Sequence, residues 1–402
     1  MTYEDSSEDY KEKFNKIIQK QINHLINEID RSENLDNKVI GCSAIILAGL
    51  AYQNYLKYLE FGLNLLKKII KYSLDADGFP KSRNIRQLNF YYKYFILIRE
   101  WLKDSQSDVP EYIEEAIYNL GNAYALITQS LNKSVLFNGN NESKNDDFDN
   151  YLLKFGYKFK NENHEIGGYS IQKNKKIALI MDVGQSPEKK FSSDYQMGAL
   201  SFEIISNQNK IICNSGYFQN YKHRLNELSK ATATHSTLIL DSSSSCKLQK
   251  IGNKKSVIEK GLKIFDKSSV FKKNYWNIAA SHNGYLKKYG VVHHRLIEFY
   301  PEQNKFIGTD NLLRKKNYKS THFEIRFHLT PSSKIMKTQD KKSIFIEVDK
   351  EGWKFTCDNY DINLETGLYF GKKNSFTENQ NIFISGMTLD QNQIIKWVLI
   401  KI

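Results

Sequence analysis

Two short stretches of this sequence gather groups that move protons or hold anions. One runs from Tyr217 to Arg224 and holds Tyr217, Phe218, Tyr221, Lys222, His223 and Arg224, just after the break at Ser215-Gly216. Tyr217 and Tyr221 are candidate proton donors, and Lys222, His223 and Arg224 are candidate anion contacts. The other is Arg83-Asn84, at the start of an amphipathic run. A helix beginning there turns the Asn84 amide and free backbone N–H groups toward an anion, and Arg83 could serve the same end. Asparagine is also a preferred helix N-cap, so a plain capping role for Asn84 stays open. His235 opens the segment HSTLILD. There is no glycine-rich phosphate loop and no Ser–His–Asp elbow. Cys42, Cys213, Cys246 and Cys357 are scattered without paired spacing, which argues against a disulfide framework or a cysteine zinc site.

Strands must hold the first stretch. Leu200, Phe202 and Ile204 alternate with polar or small neighbours, which predicts a strand over 199–206. A turn at 207–210, a returning strand at 210–214 and a further strand over 235–241 leave the Tyr217–Arg224 segment as a long loop on a sheet, where sites usually sit. Upstream, a period near 3.6 predicts helices over 10–31, 39–55, 56–74, 84–103 and 110–131. In the first, Phe14, Ile17, Ile18, Ile22, Leu25 and Ile26 share one face. Short links between them imply antiparallel helical hairpins. Residues 138–150, NGNNESKNDDFDN, read as a polar linker between domains. Beyond residue 151, short alternating runs separated by turn signals predict an all-β sandwich.

The chain has 402 residues, of which 40% are hydrophobic, so two domains with sizeable cores are expected. Its formal net charge is +13. Such a balance draws acidic partners, although the lysines are spread along the chain without a dense basic block and no nucleic-acid motif accompanies them. No apolar run reaches membrane-spanning length, so membrane insertion is not expected. The start, MTYEDSSEDYKEKF, lacks the basic and apolar parts of a signal peptide.

Several ordered segments carry a resemblance: ALSFEI, IICNSG and LSKATATHSTLILD between Ala199 and Asp241, then SHNGYLKKYGVVHHRLIEF and FEIRFHLTP. Together they resemble the C-terminal β-sandwich of the heparinase II/III-like family, polysaccharide lyases and lyase-like proteins of bacteria, here of the alphaproteobacterial type. The family pairs an incomplete α/α toroid of helical hairpins with a β-sandwich. The resemblance therefore implies a multidomain α+β protein, with a partial toroid over 1–140 and a sandwich over 151–402. Family members generally carry more helices upstream, so the chain is expected to start partway into the toroid. The resemblance points to the periplasm or cell envelope; the lack of a signal peptide leaves the cytoplasm as the alternative.

Such lyases cleave uronic-acid polysaccharides by β-elimination, using a Tyr and a His for proton transfer and an Asn, Gln, Glu or Arg at the substrate carboxylate. By this resemblance Asn84 neutralises the carboxylate, with Arg83 beside it, and Tyr217 and His235 are candidate catalytic groups. The turn before LSFE commonly reads G-H-x-H-x-D in the family, but here Asp194 and Gln196 stand at the two histidine positions. Asp194 is then a candidate base and Tyr195 a candidate phenol. An exposed carboxylate is a weak base for a carbon acid. His235 matches a histidine that helps hold zinc in some members. Its partners are missing, so the expectation is no metal and no cofactor, with His235 hydrogen-bonded in the core. Two functions follow: a lyase acting on an acidic polysaccharide, or a protein that binds an acidic glycan without cutting it. The sequence leaves the oligomeric state open.

Overall fold

The computed structural model describes residues 5–52, 56–142, 146–161, 163–252, 255–316 and 319–402. The chain divides into two compact units. One comprises Met1–Pro80, Gln87–Asn122 and Tyr157–Phe159; the other comprises Lys81–Arg86, Ala123–Gly156 and Lys160–Ile402.

The first unit is helical, built on α1 (Glu8–Glu28), α2 (Leu35–Ala51), α3 (Leu56–Ser73), most of α4 (Ile85–Asp104) and the first part of α5 (Glu111–Ile127). These sit close to the predicted spans; residues 53–55 of the second predicted helix lie outside the described residues. Helix α2 is apolar on nearly all sides and buries Val39, Cys42, Ile45, Ile46 and Ala48. It packs closely on α3. A Cβ at Gly49 would stand 2.4 Å from the Leu59 nitrogen, and one at Gly62 would stand 2.6 Å from the Ile46 side chain. The face predicted for α1 is buried less than its periodicity suggests. Ile22 is buried, whereas Tyr10, Phe14 and Ile17 are exposed.

The start of the predicted linker, residues 138–141, is buried rather than solvated. Asn138, Asn140 and Asn141 are buried. Their amides satisfy neighbouring groups: Asn138 Nδ2 donates to the Tyr169 hydroxyl at 2.7 Å, and Asn141 Nδ2 donates to the carbonyls of Tyr217 and Phe370 at 2.6 and 2.7 Å. Helix α6 (Asp146–Lys154) follows, with residues 143–145 outside the described residues.

The rest of the second unit is antiparallel β structure. A five-stranded sheet runs in chain order through β1 (Glu165–Ile166), β2 (Tyr169–Lys173), β3 (Ile177–Asp182), β4 (Phe202–Ser206) and β5 (Asn209–Ile212). The short helix α7 (Arg224–Lys230) precedes β6 (Leu238–Leu240) and the hairpin of β7 (Lys247–Ile251) and β8 (Lys255–Lys260). Next come β9 (Ile264–Lys272), β10 (Tyr275–His282), α8 (Leu286–Tyr289), β11 (Val291–Tyr300), β12 (Lys305–Arg314), β13 (His322–His328), β14 (Lys334–Lys337), β15 (Ser343–Val348), β16 (Glu351–Thr356), β17 (Ile362–Tyr369), β18 (Thr377–Met387) and β19 (Gln393–Lys401). One sheet has the order β14-β15-β16-β19-β12-β11-β10-β9 and another β17-β18-β13-β6. Alternating apolar residues from all three large sheets, among them Leu179, Phe202, Ile297, Phe327 and Trp397, form one core. That contiguity is what a sandwich requires of strands with a period of two.

A charged knot crosses this core. Arg295 on β11 faces Asp310 on β12 across the ladder, and its Nε donates to Asp310 Oδ1 at 2.7 Å. His293 Nε2 lies 2.7 Å from the same oxygen, and the Trp397 indole donates to Oδ2 at 3.0 Å. Arg295 Nη1 also donates to the carbonyls of Leu200 and Ser236. The knot thus ties the core to the segments that carry the candidate site. Burial alone would raise the Asp310 carboxyl, but Arg295 and His293 hold it below the usual carboxylate range.

Four buried histidines give the fold a pH dependence. Burial pushes His235 down to about 4 and His328 to about 3, and lowers His282 and His293 as well, the last against the pull of Asp310. The unfolded chain takes up these protons near pH ~6.5, the folded chain only at lower pH. Stability from these rings is therefore fully present above about pH 6.5 and lost progressively as pH falls below it, through about 4 for His235 and about 3 for His328. Each ring contributes at most about 1.4 kcal/mol per pH unit in that window. We expect the urea midpoint to fall clearly between pH 7 and pH 5; an unchanged midpoint would contradict the neutral burial of these histidines.

Candidate active site

Asp194 lies in a turn after β3 and is the accessible centre of the cluster, its side chain 26% exposed. The Tyr217 hydroxyl donates to its Oδ1 at 3.0 Å. Asn226, on α7, donates from Nδ2 to that hydroxyl at 3.0 Å and to the Phe218 carbonyl at 2.6 Å. On the other carboxylate oxygen, Asn84 Nδ2 stands at 3.5 Å and Arg86 Nη2 at 3.7 Å. Burial pushes the Tyr217 phenol well above its ordinary range, and the Asp194 charge adds to this. The phenol is therefore a proton donor at neutral pH, aimed at a carboxylate. A cation and an amide stand on the far side of that carboxylate. The set offers an acceptor, a donor and anion contacts within one small region.

The structure brings together three of the predicted residues, Asn84, Asp194 and Tyr217. Asn84 directly precedes α4, as a cap would, and its amide also reaches Asp194. Arg83 points elsewhere. Its guanidinium donates to the carbonyls of Gly167, Gly168, Gly184 and Gln185 and to Asp182, inside the unit. Arg83 is thereby a structural anchor. Tyr195 is buried in a cluster with Met197, Cys246 and Leu262. His235 follows a short turn of 3-10 helix and precedes β6; its Nδ1 donates to the Ala231 carbonyl at 3.0 Å. Its ring lies so near Gly198 that a Cβ there would be 2.5 Å from Cδ2. Tyr221, Lys222, His223 and Arg224 lie on an exposed segment, and His223 caps α7 by accepting from the Leu225 N–H. The predicted loop is thus partly helix. Arg86 and Asn226 escaped sequence reasoning. Arg86 had one available signal, a cation one residue into the helix that Asn84 opens. For Asn226 there was none.

The residues do not fit the zinc that some members of the resembled family hold. Gln196 is fully engaged: its Nε2 donates to the Gly216 and Ser229 carbonyls at 2.9 and 2.6 Å, and its Oε1 accepts from the Gly139 N–H at 3.0 Å. Among the described residues, no group of three His, Cys, Asp or Glu converges as a metal site needs. The amide bridges three segments of the chain. Gln196→Ala is expected to cost about 1–3 kcal/mol through the buried partners it leaves unsatisfied. A chelator should leave the melting temperature of the native protein where it is; a fall on chelation would show that a metal is held here.

The sequence pattern of the family described as heparinase II/III-like, C-terminal, matches residues 162–398. A search among curated proteins returned no match. Among solved structures, a mutant heparan sulfate lyase from Pedobacter heparinus aligns with a TM-score of 0.76 and 14% identity, over 95% of this chain and 62% of that one. A heparinase III gene product with methylated lysines aligns at 0.76 and 12%, over 95% and 61%, and a further heparinase III at 0.74 and 14%, over 96% and 63%. At these identities the likeness shows the fold: a helical, toroid-type region followed by antiparallel β-sandwich sheets. The chain spans 61–63% of the length of these structures. Among the described residues, no helix is long and apolar enough to cross a membrane.

Proposed function

The chain belongs to the heparinase II/III-like family, and we propose that it is a polysaccharide lyase that cleaves uronic-acid chains by β-elimination. The observation that carries this reading is the hydrogen-bonded pair of Asp194 and Tyr217 with Arg86 and Asn84 beside it. The proton next to a uronate carboxylate is weakly acidic. Its removal needs a positioned base and a neutralised carboxylate. Arg86 and Asn84 supply the neutralising contacts. Asp194 takes the proton, the freed electron pair forms the carbon–carbon double bond, and the bond to the glycosidic oxygen breaks. Tyr217 gives its proton to that oxygen and recovers one from Asp194, with Asn226 holding the phenol in line. Proton acceptor and donor stand 3.0 Å apart, which suits a syn elimination. Incubation with heparan sulfate, hyaluronan and alginate should yield unsaturated products absorbing in the ultraviolet.

A second reading has its own support. Tyr217 is only 2% exposed, and Asp194 stands where the family carries histidine. On this reading the site holds an acidic glycan without cutting it. Binding that weakens with salt, with no unsaturated product from any of the three polymers, would favour it.

A further inference from the structure

We propose that Lys230 is a positioning residue for this site, a buried clamp on the turn that presents Asp194. The inference rests on the lyase reading only for the use made of Asp194. Lys230 ends α7 and is almost wholly buried. Its Nζ donates to the Ser193 carbonyl at 2.6 Å and lies 3.5 Å from the Ser256 carbonyl. Its own carbonyl accepts from the Met197 N–H at 2.9 Å. One residue thus grips both ends of the turn 193–197, through its side chain at one end and its backbone at the other. Inside the turn the Tyr195 N–H returns to the Ser192 carbonyl at 3.1 Å.

An ammonium held mainly by carbonyls is a costly way to fix a loop. Three charged groups face it: Asp194 on the turn, Lys255 on β8 and Glu227 on α7. Burial lowers Lys230 to about 8, against the pull of Asp194 and Glu227 and with the push of Lys255. Because the folded value lies below that of free lysine, burying the charge costs stability at neutral pH, and the cost is relieved as pH rises beyond about 8. A side chain kept only for folding would gain from being apolar at this position. Lys230→Met should therefore retain or gain stability at pH 7 while losing the clamp.

The experiment is amide hydrogen exchange by mass spectrometry on the full chain, read at the peptide covering 193–197, with melting curves and steady-state kinetics beside it. In Lys230→Met that peptide should exchange about tenfold faster, the equivalent of one lost hydrogen bond. The melting temperature should hold or rise. On a uronate polymer that the native protein cleaves, kcat should drop about 10²-fold with little change in KM, as expected for a displaced catalytic group. Lys230→Arg keeps charge and donors and should restore protection; it should also remove a fall in native kcat above about pH 8. Unchanged exchange at 193–197 in Lys230→Met would overturn the proposal, as would exchange and melting losses spread over the whole chain. If the native protein cleaves none of the polymers, the lyase reading fails, and the exchange measurement alone decides the clamp.

Discussion

Asp310→Ala is expected to lower the unfolding free energy by about 3–5 kcal/mol, the cost of stripping a buried charge of its partner. Arg295 would stay in the core with its Nε unpaired. The Trp397 indole and His293 Nε2 would lose their acceptor in the same step. For a domain with ordinary net stability, about 5–15 kcal/mol, this is a large fraction. The damage should reach the site, because Arg295 also holds the Leu200 and Ser236 carbonyls. Asp310→Asn keeps the volume and one acceptor, and should lose less. Urea denaturation at pH 7 measures both; an Asp310→Ala midpoint equal to that of the native protein would show that the knot does not stabilise the fold.

Tyr217→Phe and Asp194→Asn should each reduce kcat by about 10²–10⁴-fold on any uronate polymer the native protein cleaves, the usual range for losing a proton-transfer group. Both changes nearly preserve shape. Tyr217→Phe removes the donor to Asp194 and the acceptor for Asn226, and Asp194→Asn keeps a hydrogen-bond acceptor but replaces the carboxylate base with an amide that takes no proton. The two residues pass one proton between them, so the double variant should be hardly slower than the worse single one. Fully additive losses would mean independent roles. If the chain only binds its glycan, neither change should matter beyond a modest shift in affinity, and titration with a labelled uronate oligosaccharide separates the cases.

Strands such as β12, β16 and β19 were legible because buried and more exposed residues alternate along them, whereas β3 and β4 are buried on both faces. In β19, Ile395, Trp397 and Leu399 are buried, while Ile394 and Lys396 face outward. The helices were legible for the same reason at a period of 3.6, although periodicity gave no warning that Tyr10, Phe14 and Ile17 would stay exposed. The asparagines at 138, 140 and 141 misled because an amide reads as polar whether it meets water or a buried carbonyl. In the site, Asn84 was found through a local signal, a helix start, and Asp194 only through the family resemblance, at the position of the first histidine of the turn before LSFE. Arg83 and Asn84 are neighbours with opposite fates, and composition cannot say which side chain turns toward the cluster. Arg86 and Asn226 join Asp194 and Tyr217 through contacts that folding creates, not through any shared local pattern.

Gly308 faces Trp397 across the β12–β19 ladder, and a Cβ there would fall 1.9 Å from the indole ring. The same indole donates to Asp310, so it has little freedom to withdraw. In a library of variants selected for activity, position 308 should therefore be as depleted of substitutions as position 194. Selection would rank the two as equals, yet one is intolerant for chemistry and the other for space. Abundance separates them: losses at 308 should remove the protein from the cell, while losses at 194 should leave it present and idle.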